Sequence, residues 1–362
     1  MNISFLVPVM GFGGAERVIS IISKGLVEKG HTVSLGILND VPQNVVYTLD
    51  PRIKVEHVQS FRLRSFSGAK KTLKSIEDFL RRTEAHIVLC FANTVAALVS
   101  IVCKKIDLPL IFSERNDPRC YLKGFSDKFL QRILLKNIKY VVFQTEGAKK
   151  LYPKRIREKS VVILNPLDVR RMPDYYEGER RKAIVSVGRL MKQKRPDILI
   201  NAFAQISELH SDYCLELYGN GNLLDDLKKL VEFHGLFDRV RFMGTSSNIF
   251  LDINDAALFV LTSDYEGLPN ALLEAMALGL PCVSTRCSPG GAEELIEDGR
   301  NGYLVPCGDV AALAERMDKM LSNYSDSLAI GKEALKIKGR VEFQSIIDAW
   351  EKYIVEVLES KR

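Results

Sequence analysis

The sequence predicts an α/β protein with two doubly wound, parallel-sheet domains, and three observations carry this prediction. The chain has 362 residues, which exceeds the usual size of one domain. Short apolar runs alternate with longer helical segments, as in parallel sheets with crossover helices. This alternation stops once, around residues 163–182, where two prolines and a charge cluster intervene.

The strands of each predicted domain are short apolar runs. The first series reads ISFLVPV, TVSLGIL, AHIVLCF, LPLIFS and YVVFQT, and the second reads AIVSVGR, CLELYGNG, VRFMG, ALFVLTS, LPCVST and GYLVP. We predict a first domain over residues 1–165, a linker over 166–182 and a second domain over 183–342. Residues 343–362 carry apolar side chains at helical spacing, which predicts a terminal helix that packs back across the domains, with Trp350 as a core anchor.

Composition indicates which classes of protein to expect. No apolar run reaches the roughly 18 to 20 residues of a spanning helix, and the first ten residues read as a strand rather than a signal peptide. Seven cysteines form no C-x-x-C pair and five histidines lack ligand spacing. We therefore expect reduced thiols in a cytoplasmic protein, with no metal site and no cofactor.

Charge is distributed unevenly along the chain. Residues 1–170 hold 28 Lys and Arg against 15 Asp and Glu, a net charge of +13, which leaves −7 for the rest of the total of +6. Such asymmetry indicates that the first half meets an anionic surface or substrate. A nucleic-acid-binding protein is one alternative, but no aromatic platform or nucleic-acid motif accompanies the charge, so no nucleic acid is expected.

A glycine-rich turn follows the first strand. The stretch VPVMGFGGAERV places Gly13 and Gly14 just before a predicted helix, where close approach of the backbone and the N–H groups of the helix start favour an anion. The dinucleotide spacing G-x-G-x-x-G fails, because Glu16 occupies the third glycine position. A tight turn without a ligand is the alternative interpretation.

Two cations follow the first strand of the second domain. Arg189 and Lys194 lie in VGRLMKQKRPD, at the carboxyl end of a strand, where open α/β sheets bind ligands. They could neutralise a diphosphate. Taken alone, they could equally be solvated loop residues.

A loop and a helix start with two acids lie further along the chain. In EGLPNALLEA, Gly267 permits a turn, and the backbone N–H groups around Leu268, Asn270 and Ala271 would point at an anion. Glu274 could accept hydrogen bonds from a ribose diol, and Glu266 from sugar hydroxyls. The alternative is that both acids are surface residues near a helix N-terminus, where the helix dipole favours negative charge in any case.

Together these motifs resemble one family over nearly the whole chain. The similarity is to the retaining GT-B glycosyltransferases of family 4, and five motifs carry it. They are the E-x7-E pair, the preceding Arg189 and Lys194, YGNG with Gly219 and Gly221, LNP at residues 164–166 and GGAER at residues 13–17. The sequence looks most like the bacterial members that extend polyprenyl-diphosphate-linked oligosaccharides.

The resemblance implies a GT-B architecture, in which two Rossmann-like domains face a central cleft. The first domain would bind the acceptor and the second a nucleotide-sugar, with a UDP-sugar as the expected donor. Glu274 would then hold the ribose, Glu266 the donor sugar, and Arg189 and Lys194 the diphosphate. Gly13 and Gly14 would approach the diphosphate from the first domain, and Gly219 and Gly221 would line the donor site.

The resemblance also implies metal-independent chemistry without a covalent nucleophile. Many relatives carry a histidine in the loop after LIFS, where this chain has Arg115 in SERNDP. Arginine cannot act as a base at neutral pH, so Arg115 is predicted only to contact sugar or acceptor phosphate.

A basic amphipathic helix is predicted over residues 69–83. Its cations Lys70, Lys74 and Arg81 cluster opposite an apolar face, which suits an anionic membrane surface as well as an ordinary solvated helix. With the family resemblance, this favours a lipid-linked acceptor and a peripheral location on the inner leaflet of the cytoplasmic membrane. A soluble sugar or sugar phosphate is the alternative acceptor.

Overall fold

The computed structural model describes residues 1–11, 13–39, 45, 47–61, 66–121, 124–169 and 172–361. The chain divides into two compact units. The first comprises Met1–Pro166 with Phe343–Arg362, and the second comprises Leu167–Glu342. The change of unit after residue 166 lies one residue beyond the domain end predicted from the sequence.

The first unit contains a parallel sheet with the strand order β3-β2-β1-β4-β5-β6-β7. Its strands are β1 (Asn2–Val7), β2 (Thr32–Ile37), β3 (Lys54–His57), β4 (Ile87–Cys90), β5 (Leu110–Ser113), β6 (Tyr140–Phe143) and β7 (Ser160–Val162). Its helices before residue 167 are α1 (Gly14–Glu28), α2 (Phe66–Arg82), α3 (Asn93–Lys105), α4 (Phe125–Asn137), α5 (Glu146–Lys150) and α6 (Lys154–Arg157).

The second unit contains a parallel sheet with the strand order β10-β9-β8-β11-β12-β13. Its strands are β8 (Arg181–Val187), β9 (Cys214–Tyr218), β10 (Val240–Gly244), β11 (Ala256–Leu261), β12 (Cys282–Thr285) and β13 (Tyr303–Val305). Its helices are α7 (Pro196–Ile206), α8 (Leu224–Phe233), α9 (Ile249–Ile253), α10 (Asn270–Ala277), α11 (Val310–Ser322), α12 (Tyr324–Ala334) and α13 (Ile337–Arg340).

The predicted fold class is confirmed, since both sheets are parallel and connected by helices. Central strands such as β4 and β11 are buried along their whole length, which is why they read as unbroken apolar runs. The order of strands reverses between β1 and β4 in the first sheet and between β8 and β11 in the second. In open α/β sheets, ligands bind at the carboxyl ends of the strands that flank such a reversal.

The C-terminal helix, α14 (Phe343–Glu359), is assigned to the first unit. Trp350 is fully buried and stacks on Phe91 at 5.8 Å, and Phe91 stacks in turn on Phe5 of β1 at 5.9 Å. A Cβ at Gly25 of α1 would lie 2.4 Å from Ile347, so α1 and α14 pack closely at that glycine. Trp350 is therefore a core residue of the first unit, and the packing of its helix across the domains stays a prediction.

Residues predicted as a linker pack within the second unit. Strand β8 begins at Arg181, two residues before the predicted start of the domain. Arg180, just before β8, is 3% exposed, and its guanidinium donates hydrogen bonds to the carbonyls of Asn254, Ala256 and Gly279 at 2.9, 3.0 and 3.0 Å. The charge cluster that suggested a solvated linker thus includes a buried cation.

Candidate functional site

Two loops of the second unit follow the strands that flank its point of strand reversal. Residues 188–195, the Lys194 loop, follow β8, and residues 262–269, the Glu266 loop, follow β11. Because β8 and β11 are neighbours in a parallel sheet, their carboxyl ends meet at one edge. The topology therefore places the predicted cations and the predicted sugar-binding acid at the position where such sheets bind ligands.

Lys194 and Glu266 form a direct ion pair between these loops. The ammonium of Lys194 contacts Glu266 Oε1, and the two side chains are only 20% and 12% exposed. The hydroxyl of Ser263 donates to the same carboxylate oxygen at 2.7 Å, and Ser263 is fully buried. The carboxylate of Glu266 is thus fixed by one cation and one hydroxyl while it lies at the sheet edge.

Further hydrogen bonds join the two loops and hold this ion pair in place. Thr262 Oγ1 bonds the carbonyls of Lys194 and Arg195 at 2.8 and 2.9 Å. Gln193 Nε2 donates to the carbonyl of Tyr265 at 2.8 Å, and the amide of Asp264 donates to the carbonyl of Gln193 at 2.9 Å. A site of this kind is organised before a ligand arrives, which lowers the cost of binding and reaction.

Helix α10 begins directly after the Glu266 loop. The residue before α10 is Pro269, whose ring carries no group that could cap the helix start. Gly267 and Leu268, which precede Pro269, are buried. Asn270 and Ala271 form the first turn and are half-buried. Glu274 lies one turn further along and is 7% exposed, so it is an enclosed acid rather than a solvated surface charge.

Gly219 and Gly221 lie against the Lys194 loop. A Cβ at Gly219 would come within 2.1 Å of the carbonyl oxygen of Gly188, and a Cβ at Gly221 within 2.1 Å of that of Leu190. Gly219 also has a φ of +129°, which disfavours other residues. Close packing of backbone on backbone therefore accounts for glycine at both positions, and their contact with a donor stays a prediction.

A third loop, residues 286–291, supports the Glu266 loop together with Thr285 at the end of β12, and was not singled out in the sequence. The amide of Glu266 donates to the carbonyl of Ser288 at 2.8 Å, and Thr285 Oγ1 donates to that of Ser263 at 2.6 Å. A Cβ at Gly291 would lie 2.3 Å from the carbonyl oxygen of Gly267. The sequence signal was SPGG two residues after the strand run LPCVST, a turn at the same sheet edge.

The electrostatic character of this edge is mixed. Arg189 is exposed, and it forms no ion pair with the residues that the structure describes. Lys194 is the second cation, and its positive charge is already shared with Glu266. Burial, and then the negative charge of Glu266, raise the pKa of the Cys287 thiol, which therefore stays neutral. The arrangement offers cations and a helix start to an anion, and a fixed carboxylate to hydroxyl groups.

In the first unit, Gly13 and Gly14 follow β1, which flanks the point of strand reversal there. The carboxylate of Glu16 folds back over Gly13, since a Cβ there would lie 2.1 Å from Glu16 Oε2. The hydroxyl of Tyr47 donates to the carbonyl of Gly13 at 2.9 Å. An anion at this helix start would have to displace the Glu16 carboxylate, and the predicted diphosphate contact stays a prediction.

Arg115 follows β5 at the same carboxyl edge of the first sheet. Its Nη1 donates to Asn165 Oδ1 at 2.6 Å, and Gln144 Nε2 donates to that same oxygen at 2.6 Å. The guanidinium lies 4.6 Å from the ring of Phe91 and 5.9 Å from that of Trp350. These contacts fix Arg115 to the aromatic core of its own unit, and its predicted contact with sugar or acceptor phosphate is untested by them.

The predicted basic helix is α2, which begins at Phe66 and ends at Arg82. Lys74 pairs with Asp78 at 2.7 Å and Arg81 with Glu77 at 3.0 Å, both one helical turn away. Lys70 is exposed, and the described residues offer it no ion pair. The charge available to an anionic surface is therefore smaller than the sequence suggested.

The described residues contain neither a membrane-spanning helix nor a cluster of metal ligands. Across those ranges, no helix is both long and apolar enough to cross a membrane. The same part of the chain holds no group of three or more His, Cys, Asp or Glu side chains that could bind a metal ion.

Comparisons with known proteins identify the second unit. Residues 172–337 match the family model described as glycosyl transferases group 1. Over 365 residues the chain is 27% identical to a Campylobacter jejuni enzyme, GalNAc-alpha-(1->4)-GalNAc-alpha-(1->3)-diNAcBac-PP-undecaprenol alpha-1,4-N-acetyl-D-galactosaminyltransferase, and the match covers 99% of both chains.

Solved structures share the fold. Alr3699/HepE of Anabaena, crystallised in complex with UDP, superposes with a TM-score of 0.84 at 19% identity over 98% of this chain and 100% of its own. Sucrose-phosphate synthase of Thermosynechococcus elongatus has a TM-score of 0.84 at 16% identity over 99% of this chain and 100% of its own. At these identities the superpositions establish the fold alone.

The family match spans the sheet at whose edge this site lies. The predicted resemblance to transferases that extend lipid-linked oligosaccharides is confirmed. Residues 172–337 form a glycosyl transferases group 1 domain, and the protein is a glycosyltransferase of the GT-B fold.

Proposed function

We propose that this glycosyltransferase moves a hexose or N-acetylhexosamine from a UDP-sugar to a polyprenyl-diphosphate-linked oligosaccharide, with retention of the anomeric configuration. The observation that carries the proposal is the Lys194–Glu266 ion pair, held by Ser263 at the point where the second sheet reverses. The name of the C. jejuni relative supports the acceptor, and the UDP complex of HepE supports the donor.

The proposed reaction begins with cleavage of the bond between the anomeric carbon and the diphosphate oxygen. Negative charge develops on the leaving UDP, where Lys194, Arg189 and the start of α10 would stabilise it. Positive charge develops on the sugar ring, whose hydroxyl groups Glu266 would hold. The acceptor hydroxyl forms the new bond on the same face, and its proton passes to an oxygen of the leaving diphosphate. We assign no covalent nucleophile and no metal to these steps.

The acceptor would bind to the first unit. Exposed Lys70 on α2, with Lys74 and Arg81, would meet the anionic surface of the membrane that holds the lipid. Binding to anionic vesicles should therefore fall when all three become alanine. Binding equal to that of the parent would remove α2 from the proposal.

The function is tested by assaying UDP release from UDP-GalNAc, UDP-GlcNAc, UDP-galactose and UDP-glucose. Each donor is offered with a polyprenyl-diphosphate-linked oligosaccharide or with a soluble sugar phosphate, with EDTA present throughout. An α-linked product on the lipid-linked acceptor alone is expected. A product on the soluble acceptor would favour that alternative, and a β-linked product would contradict retention.

Glutamine at Glu274 is expected to weaken UDP binding about 10-fold or more, because the ribose diol loses a charged acceptor. Isothermal titration of UDP measures this effect directly. Glu232→Gln, an exposed acid of α8, serves as the matched control and should leave the affinity unchanged. Equal UDP affinity in the parent and Glu274→Gln would remove the ribose role from Glu274.

Alanine at Ser263 is expected to lower kcat/KM for the donor roughly 10-fold, because Glu266 loses the hydroxyl that orients its carboxylate. Ser284→Ala is the control, since that buried hydroxyl bonds the carbonyl of Thr285 at 3.0 Å and no other group among the described residues. Steady-state kinetics with thermal unfolding of both variants separates orientation from stability. The same loss in both variants would show that Ser263 acts through packing alone.

A further inference from the structure

The first unit contains a cavity of about 310 Å³ that is remote from the residues discussed so far. It lies at the amino ends of β5 and β6, whereas Gly13 and Arg115 follow the carboxyl ends of strands in the same sheet. The ends of α3 and α4 and the residues that follow α14 complete its walls. Its volume falls at the lower end of the range of small-ligand sites.

Positive charge dominates the lining of this cavity. Lys104, Lys136, Lys139 and Lys361 face it with a single acid, Asp107, which gives the lining a net charge of +3. Asp107 Oδ2 is itself bound by Lys361 at 3.0 Å. Burial raises the pKa of the Cys103 thiol, which also lines the cavity, to about 12, so it adds no negative charge.

Three of these lysines form no ion pair with the described part of the chain: Lys104, Lys136 and Lys139. All three are exposed. Lys74 and Arg81 of α2 are exposed as well, but they pair with carboxylates. A solvated lysine is common at a protein surface, but three around one concave wall repel one another unless an anion lies between them.

Three carbonyl groups near the ends of α3 and α4 have donors other than these lysines. Both α3 and α4 end beside the cavity, and cations are favoured at such ends. However, the amide of Leu108 bonds the carbonyl of Cys103 at 2.9 Å, and Arg155 donates to the carbonyls of Leu135 and Ile138. Carbonyl groups at both helix ends are therefore bonded without the three lysines.

We propose that this cavity binds an anion with phosphate groups, separately from the donor and the acceptor. Lysine is a compact point charge that binds phosphate from several directions, whereas planar carboxylates favour arginine. Neutral donors could complete the site, since Tyr140 and Asn137 also line it. A free polyphosphate and the phosphate headgroup of a lipid share this chemistry, and the experiment separates them.

The test is acetylation of lysines in the intact protein, followed residue by residue by mass spectrometry. Only the neutral amine reacts, and an anion that raises the lysine pKa by about one unit lowers the reactive fraction roughly 10-fold. Lys54, Lys150 and Lys154 are exposed lysines of the same unit outside the cavity and serve as internal controls.

Inorganic diphosphate is the first probe, with sodium chloride at equal ionic strength as its reference. We expect saturable protection of Lys104, Lys136 and Lys139 while the three control lysines react as before. Vesicles of phosphatidylglycerol and of phosphatidylcholine form the second arm. Protection by phosphatidylglycerol but not by free diphosphate would assign the cavity to a lipid headgroup, and the reverse to a soluble anion. No protection by either probe, or equal protection of cavity and control lysines, would overturn the proposal.

Discussion

Alanine at Lys194 is expected to lower kcat by about 10²–10³-fold, the usual effect of removing one group that stabilises charge in a transition state. The affinity for the UDP-sugar should change much less, because the charge on the leaving diphosphate grows as the bond breaks. Glu266 would also lose its cationic partner in a half-buried position and keep only the hydroxyl of Ser263.

The matched control for this variant is Lys192→Ala. Lys192 lies in the same turn, two residues before Lys194, and is exposed. Its removal should leave kcat unchanged, which separates a specific contact from a change in the net charge of the loop. Single-turnover kinetics and titration of the donor give the chemical step and the affinity separately. Equal losses in turnover and affinity in Lys194→Ala would show an ordinary binding cation.

Leucine at Arg180 is expected to lower the free energy of unfolding of the second unit by about 3–5 kcal/mol, because two buried carbonyls and one part-buried carbonyl lose a donor. These carbonyls belong to the residues around the start of β11 and to Gly279, which follows α10. A single side chain thus connects the amino edge of the sheet to the turn before β12. A loss of this size is a large part of the stability of an ordinary domain.

Amide hydrogen exchange of β8 and β11 measures this loss in the intact chain, since exchange of central strands reports the opening of their unit. Arg300→Leu is the control, because Arg300 is 60% exposed and pairs with Glu297 at the surface. That variant should exchange like the parent. If Arg180→Leu also exchanges like the parent, water or a rearranged backbone satisfies the three carbonyls.

The central strands were predictable because both of their faces are buried. All eleven apolar runs named from the sequence contain a strand. The strands β3 and β7 were missed, since they are edge strands of four and three residues with half-exposed side chains and show no apolar run. Residues 166–182 were predicted as a linker because a cluster of charged residues usually lies in solvent. Arg180 is buried instead, and the carbonyls that it bonds lie far along the chain, where no local pattern could indicate them.

The candidate site was predictable to the level of its loops. Arg189, Lys194 and Glu266 could be placed at one sheet edge because they follow apolar runs that had to be parallel strands. The ion pair of Lys194 with Glu266 joins residues 72 positions apart in the sequence, which no local pattern reports. The glycines of YGNG were predicted to serve the donor, and the structure adds a packing reason that motif comparison does not contain.

The route of the chain through its two units has a consequence for synthesis on the ribosome. Leu167 and Glu342 pair as a parallel bridge, with the amide of Leu167 bonded to the carbonyl of Val341 at 3.0 Å, so the second unit begins and ends at one place. Every residue of that unit leaves the ribosome before Trp350, on which the aromatic stack of the first unit depends. The first unit, although most of it is made earlier, therefore waits for its last helix until all of the second unit has been synthesised.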